Sequence, residues 1–352
     1  MTKVLYFYAL PSTFINKDLG FLSEKFSVLP FSFSPPKKQL SLIWVMKELA
    51  FILRNFSSAK IYICQFGGYH SFLPALIGKV FNKPCLIITG GTDCVALPSI
   101  NYGNFRKYFL GLFTKWSYSL CSHISPVHES LMLNNYTYQK DDYPKQGILY
   151  FCPQLKTPYT TIYNGYDSSF WKKNKEKKKN VFTTVVGRIK MSFTIPLKGI
   201  DLILEIAPLF PECEFRLIGI PPDYNLGETT GNIVKIPFST NDEIRDTYSE
   251  SEFYLQLSMS EGFPNALSEA MLCECIPIVS NVGAMPFIIN DGGFILNHRD
   301  KNELTALIRK ALICDKATLA QGARLRIAKN FPDTLRKKNL TALIDRLISE
   351  TH

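Results

Sequence analysis

The stretch Glu261-Gly262-Phe263-Pro264-Asn265-Ala266-Leu267-Ser268-Glu269 decides how this chain is read. Two carboxylates stand eight positions apart. Gly262 to Asn265 reads as a turn, and Ala266 to Cys273 as a helix. A helix start leaves backbone N–H groups unpaired and carries partial positive charge, so it attracts phosphate oxygens. Glu261 precedes the turn and Glu269 sits in the first turns of the helix, adding two acceptor-only side chains to that start. The combination suits a ligand with both phosphates and hydroxyls, such as a nucleotide sugar.

The surroundings give the stretch its meaning. A strand-like run, 253–257, precedes it, and a short apolar strand, 276–280, follows. Ligand sites in open α/β sheets lie at such carboxyl ends of strands. Outward from there the alternation continues. Strands are expected at 3–8, 60–65, 84–89, 122–125, 181–186, 214–218 and 232–236, with two more at 147–151 and 160–163. Helices are expected at 40–56, 198–209, 242–249, 302–312 and 332–349. In the helix 40–56, Leu42, Met46, Leu49 and Leu53 recur at three- and four-residue spacing. Alternation in both halves of a 352-residue chain implies two doubly wound α/β domains.

These motifs resemble glycosyltransferase family 4, retaining enzymes of the GT-B fold. The resemblance rests on Glu261-x7-Glu269 followed by Ala270-Met271, on Asn164-Gly165-Tyr166-Asp167, on Gly187-Arg188 with Lys198-Gly199-Ile200-Asp201, on 215–219, and loosely on 11–15. It implies two Rossmann-like domains facing a central cleft: 1–165 for the acceptor, a Lys-rich linker at 166–180, 181–331 for the nucleotide sugar, and 332–352 as a helix crossing back to the first domain. It also implies roles. Gly187, Arg188, Lys198, Pro264, Asn265, Ala266 and Leu267 would bind the donor diphosphate. Glu261, Phe263 and Glu269 would contact the donor sugar and ribose, with Glu261 near the reacting face, and Gly219 and Pro237 would lie at the base.

Glycosyl transfer from such a donor must stabilise a leaving diphosphate and an oxocarbenium-like sugar. Arg188 offers a planar, permanently charged fork and Lys198 a mobile point charge. With helix-start amides they can stand in for a divalent metal. No Asp-x-Asp motif is present, so no metal and no cofactor beyond the donor is expected.

Four departures from the family stand out. The usual first-domain His is replaced by Gly90-Gly91-Thr92-Asp93. Asp93 is either a base toward the acceptor or a helix N-cap, and His70 is a second catalytic candidate. Nine residues separate Arg188 from Lys198, more than usual. Pro286-Phe287 stands where Pro-Glu is common. The glycine-rich loop after the first strand is missing.

Residues 1–160 carry 16 Lys/Arg against 7 Asp/Glu, and the run 172–179 carries six Lys and one Glu. That run reads as a solvated linker. A basic first half favours a glycan or lipid-linked acceptor that is phosphorylated or membrane-borne. Phe105, Tyr108, Phe109, Leu112 and Trp116 fall on one helical face among Arg106, Lys107 and Lys115. They read as a core helix, or else as an interfacial helix at an anionic membrane. Lys37 and Lys38 give a weaker hint of the same kind. No run is apolar for long enough to span a bilayer, and 1–8 reads as a buried strand rather than a signal peptide. Cys64, Cys85 and Cys152 sit in apolar runs and read as reduced core thiols, and the Cys273/Cys275 spacing suits neither zinc nor redox chemistry. A cytoplasmic protein, at most apposed to the inner face of the membrane, is expected. The resemblance places it in bacterial cell-surface polysaccharide synthesis (O-antigen, capsule or lipopolysaccharide), with a UDP- or GDP-sugar. Nucleic-acid binding is not expected, because no recognised motif accompanies the basic residues. A GT-B sugar-nucleotide epimerase and a catalytically lapsed glycan- or nucleotide-binding protein are the alternatives.

Overall fold

A computed structural model describes residues 1–187 and 193–350, with no account of the Lys38 side chain. The first half runs β1 (Lys3–Tyr8), α1 (Thr13–Ser23), β2 (Ser27–Ser32), α2 (Ser41–Asn55), β3 (Ala59–Gln65), α3 (Tyr69–Val80), β4 (Cys85–Thr89), α4 (Tyr108–Leu120) and β5 (His123–Pro126). Its five strands pair in parallel in the order β2-β1-β3-β4-β5. The central strands are buried on both faces, which is why β4 is a run of apolar residues without polar alternation. A short antiparallel pair, β6 (Asn134–Asn135) and β7 (Lys145–Gln146), and α5 (Ile148–Phe151) follow.

The second half runs β8 (Lys178–Val185), α6 (Thr194–Lys198), α7 (Ile200–Ile206), β9 (Glu214–Ile218), β10 (Ile233–Ile236), α8 (Asn241–Glu250), β11 (Ser251–Gln256), α9 (Asn265–Leu272), β12 (Ile276–Ser280), α10 (Met285–Ile289), β13 (Phe294–Leu296), α11 (Lys301–Leu312), α12 (Lys316–Asn330) and α13 (Asp333–Ser349). Its six parallel strands take the order β10-β9-β8-β11-β12-β13. The strand order reverses between β1 and β3 in one sheet and between β8 and β11 in the other. Crevices open at the carboxyl ends of the strands at such switch points, and here the two face each other.

The chain crosses between the domains twice, side by side. Tyr166 N–H donates to Phe331 O (2.9 Å) and Asp333 N–H to Tyr166 O (3.1 Å). α13 then returns to the first domain, burying Leu340, Leu343, Ile344 and Leu347. Its Arg336 meets Asp18 of α1 in a buried two-pronged ion pair (2.6 and 2.9 Å). Within the lysine run, most residues are exposed, but Lys177 donates to Tyr248 O, Ser251 O and Cys273 O at 2.7–2.9 Å. All nine cysteines are free thiols, eight of them buried.

Several expectations need correction. Residues 147–151 form a helical turn, α5, not a strand. Gly147 takes φ +109° with Met132 O where a Cβ would lie, and Cys152 N–H closes onto Ile148 O. Residues 160–163 run beside β5, where Thr160 and Ile162 donate to Ile124 and Pro126. Pro126 has no N–H to return, so a single bridge at Ile124–Tyr159 forms instead of a ladder. The helix expected at 198–209 starts at Thr194 and breaks at Gly199 (φ +68°), where a Cβ would lie 2.3 Å from Leu257 O. α1, β2, α3 and α12 lie in stretches for which no element was expected.

Two helices face the opposite way from their apolar stripes. On α2, Leu42 (71%), Met46 (58%) and Leu53 (60%) are exposed, while Glu48 and Ile52 are buried. Phe51 decides this, because its ring packs against Phe7 and Phe31 of the sheet (5.9 and 5.2 Å). α4 is not the core helix expected. It turns Gly111, Thr114, Ser117 and Tyr118 inward and leaves Tyr108, Phe109 and Trp116 exposed. Small residues let it approach α3 closely, where Ser71 Oγ donates to Ser117 Oγ (2.8 Å).

Candidate active site

Glu261 follows β11 at the second-domain switch point. Gln256 and Ser258 lie two residues apart and point the same way, as strand geometry requires. The amide of Gln256 (3.1 Å), the hydroxyl of Ser258 (2.8 Å) and the ammonium of Lys198 (2.6 Å) all donate to Glu261 Oε1. The described residues place no hydrogen bond on Oε2, which is therefore the oxygen available to a ligand hydroxyl. Lys198 reaches the carboxylate because Gly199 ends α6 in the left-handed conformation. Both side chains are largely buried (25% and 14% exposed), so their attraction is weakly screened.

The turn after Glu261 touches the first domain. A Cβ on Gly262 would lie 2.0 Å from Gly90 O, so only glycine allows these backbones to meet. Pro264 leads into α9 without any side-chain cap, so the amides of Asn265, Ala266 and Leu267 remain donors for a ligand. The Asn265 side chain itself turns away, accepting from Asn164 Nδ2 (3.1 Å) and Tyr166 OH (3.0 Å) at the domain crossing. Phe263 is buried between Tyr163 and Phe331, and Asn164 Nδ2 donates to its carbonyl (3.1 Å). Glu269, one turn into α9, carries no side-chain hydrogen bond among the described residues. Burial pushes its carboxyl up to about 7, against the opposing pull of Lys17.

Gly187 and Gly219 meet at the ends of β8 and β9, where a Cβ on Gly219 would strike Gly187 O (2.4 Å). Pro237 follows β10 and is exposed at the same edge. Arg188 lies outside the described residues. Among those described, no three His, Cys, Asp or Glu side chains converge as a metal centre needs.

On the first-domain side, the switch point between β1 and β3 opens into a cavity of about 480 Å³. Its walls are mainly apolar, with Leu10, Phe33, Pro35, Tyr69 and Leu110 among them, and Ser41, Gln65, His70, Thr92, Asp93 and Asn104 are the polar residues of the lining. His70 Nε2 lies 2.8 Å from Gln65 O. A carbonyl only accepts, so Nε2 carries the proton and Nδ1 keeps its lone pair. Burial lowers the His70 pKa, which keeps the ring neutral. Asp93 lines the same cavity but is held on every side. Its buried carboxylate accepts from Gly67 N (2.9 Å), Gly90 N (3.3 Å), Gly91 N (3.1 Å) and Tyr118 OH (2.8 Å). It caps no α-helix. It fastens the two glycine loops that shape the cleft.

A smaller cavity of about 170 Å³ between the domains shares Gln65 and Phe66 with the larger one and reaches Glu261 and Asn265. Phe66 separates the two. It takes φ +70°, a strained conformation for a side chain with a Cβ, and its ring lies 2.1 Å from where a Cβ on Gly90 would be. The aromatic partition and Tyr102 were missed in the sequence. Tyr102 pairs with Thr92, and its phenol is pushed up to about 12, first by burial and then by the charges of Glu261 and Asp93. No local spacing announces either residue. Gln256 and Ser258 could have been found, since they alternate along the extended run from the end of β11 to Glu261.

Two doubly wound domains facing a cleft, with a C-terminal helix returning to the first, define the GT-B class of fold. Residues 167–330 match the family model described as Glycosyl transferases group 1, and the resemblance read from the motifs is borne out there. The chain is 26% identical to a D-inositol 3-phosphate glycosyltransferase from Mycolicibacterium vanbaalenii over 39% of this chain and 35% of that protein. It is 24% identical to a phosphatidylinositol N-acetylglucosaminyltransferase subunit from Arabidopsis thaliana over 37% and 32%. The chain thus spans about a third of the length of these curated relatives. In structure it is similar to sucrose-phosphate synthase from Thermosynechococcus elongatus (TM-score 0.75, 12% identity, 99% and 100% of the two chains). It is also similar to Anabaena Alr3699/HepE solved in complex with UDP (TM-score 0.69, 14% identity, 98% and 100%).

Proposed function

We propose that this protein is a retaining glycosyltransferase that moves a sugar from a UDP- or GDP-sugar to a glycan or lipid-linked acceptor. The observation that carries the reading is Glu261, held by Lys198 beside the uncapped start of α9 and opposite an acceptor-sized cavity. The donor diphosphate sits on the α9 amides and Lys198, with Arg188 as a further cation. Its ribose meets Glu269 and its sugar meets Oε2 of Glu261. Charge gathering on the leaving diphosphate is met by fixed donors and a cation in a water-poor cleft, where such groups act most strongly. These groups do the work of a divalent metal, so transfer is metal-independent. His70, neutral with Nδ1 open, is placed to accept a proton from the acceptor hydroxyl. The two curated relatives, both glycosyltransferases, support glycosyl transfer, and the UDP and UDP-glucose held by the Anabaena protein support a uridine nucleotide. The setting we infer is cell-surface polysaccharide synthesis at the inner face of a bacterial cytoplasmic membrane.

A thermal-shift screen with UDP, GDP and ADP and their common sugars, with and without EDTA, tests this. At about a hundredfold excess over its dissociation constant, the true donor nucleotide stabilises by about 2.7 kcal/mol. One responding nucleotide class, indifferent to EDTA, is the expected result. No response to any nucleotide sinks the proposal.

A further inference from the structure

We infer that the mouth of the first-domain cavity docks on an anionic lipid membrane, and that the acceptor enters it as a membrane lipid or lipid-linked saccharide. This rests on the reading of that cavity as the acceptor site. α3 packs between α2 and α4, and the amino-terminal ends of all three helices reach the cavity through Ser41, Tyr69 and Leu110. Around those same ends large apolar side chains are exposed: Leu42, Ile43 and Met46 on α2, Tyr69 on α3, Tyr108 and Phe109 on α4, joined by Leu10 from the loop after β1. The apolar cavity wall thus continues outward into an apolar rim. Loose apolar exposure is common on proteins, but a continuous patch around a cavity mouth marks a binding surface.

Charge decides what the surface binds. From Lys25 to His128 the chain carries 11 Lys/Arg and two Asp/Glu. Those two are Glu48 and Asp93, and both are buried. The whole stretch therefore presents cations without one exposed carboxylate, and Lys37, Lys47, Arg106 and Lys107 flank the apolar rim. A second copy of the chain would bring like charge against like charge. An anionic bilayer satisfies both parts: apolar side chains enter the interface, and cations meet the lipid headgroups. An acceptor with an apolar chain can then pass from the bilayer into an apolar cavity without crossing water.

The intact protein is sedimented with vesicles of equal parts phosphatidylglycerol and phosphatidylcholine, and with pure phosphatidylcholine, at low and high salt. Trp44 and Trp116 lie on α2 and α4, while Trp171 is buried away from this surface. Brominated lipids should therefore quench only part of the tryptophan emission. We expect binding to the anionic vesicles that weakens with salt. We expect at least a tenfold loss in Leu42→Glu/Met46→Glu and in Tyr108→Ser/Phe109→Ser, with melting and the nucleotide-induced shift unchanged. No binding to anionic vesicles, or equal binding by the variants, overturns the inference. If the nucleotide shift persists in that case, the cleft reading survives without it. Vesicle binding in a protein that responds to no nucleotide would overturn the acceptor part.

Discussion

The two switch points of this molecule share a geometry and differ in chemistry. At the second, between β8 and β11, polar groups converge: three donors on one carboxylate oxygen and a helix start with free amides. At the first, between β1 and β3, the walls are mostly apolar, with a neutral imidazole among a few polar side chains and the carboxylate of Asp93 already engaged. The same kind of sheet thus carries a charge-handling site and an apolar receptacle, separated by Phe66. The lesson is that the fold supplies the opening, while a handful of residues at strand ends decide what enters.

The largest expected effect tests whether the two halves depend on one tie. Arg336→Ala leaves Asp18 buried without its partner, which typically costs about 3–5 kcal/mol. Denaturant unfolding should show that loss. A variant as stable as wild type would mean that α13 is held by its apolar contacts alone. Next comes the polar site. Lys198→Ala and Glu261→Gln should each reduce transfer roughly a hundredfold, the effect of removing one fixed electrostatic stabiliser, while leaving the melting curve near wild type. Near-normal turnover in either variant would mean that the polar switch point is not where the chemistry happens.

The contrast also explains what the sequence disclosed. The second site is written locally. Glu261, Gly262, Asn265 and Glu269 lie within nine residues, and their spacing alone places them at a helix start. The pairing of Lys198 with Glu261 spans 63 residues; the family resemblance assigns the two residues to one donor site but does not announce their contact. The first site has no such local text. α2 has two apolar faces, and periodicity cannot say which one the sheet takes; the ring contacts of Phe51 with Phe7 and Phe31 decide it. Asp93 reads as a base or a cap until Gly67, Gly90, Gly91 and Tyr118 are seen around it. Long-range contacts set those roles, and they leave no spacing to read.

Glu48 gives a smaller effect on the apolar side. It is buried on α2 with neither carboxyl oxygen hydrogen-bonded among the described residues, and burial pushes its pKa up to about 9. In the unfolded chain the group ionises near its ordinary 4.5, so between the two values the folded state holds a proton that the unfolded state has lost. The contribution of Glu48 to stability is therefore greatest at low pH and falls as pH rises from about 4.5 to about 9. Glu48→Leu removes an unpartnered buried polar group, and at neutral pH it should stabilise by about 1–3 kcal/mol and flatten the pH dependence. An unchanged or lower Tm would show that the carboxyl has a use on α2 that the packing does not reveal.

The smallest effect sharpens the polar side. Glu269 has its carboxyl pushed up to about 7 by burial, so near pH 6 it is largely protonated in the free protein. Ribose hydroxyls donating to it would favour the carboxylate and lower its pKa. Nucleotide binding at pH 6 should then release a fraction of a proton, up to one, and at pH 8 almost none. Calorimetry in two buffers of different ionisation enthalpy reads this directly, and the release should vanish in Glu269→Gln. Proton uptake at pH 6, or release that persists in Glu269→Gln, would place the ribose away from Glu269. The two carboxylates that bracket the signature stretch would then have separate tasks, with Glu261 alone facing the ligand.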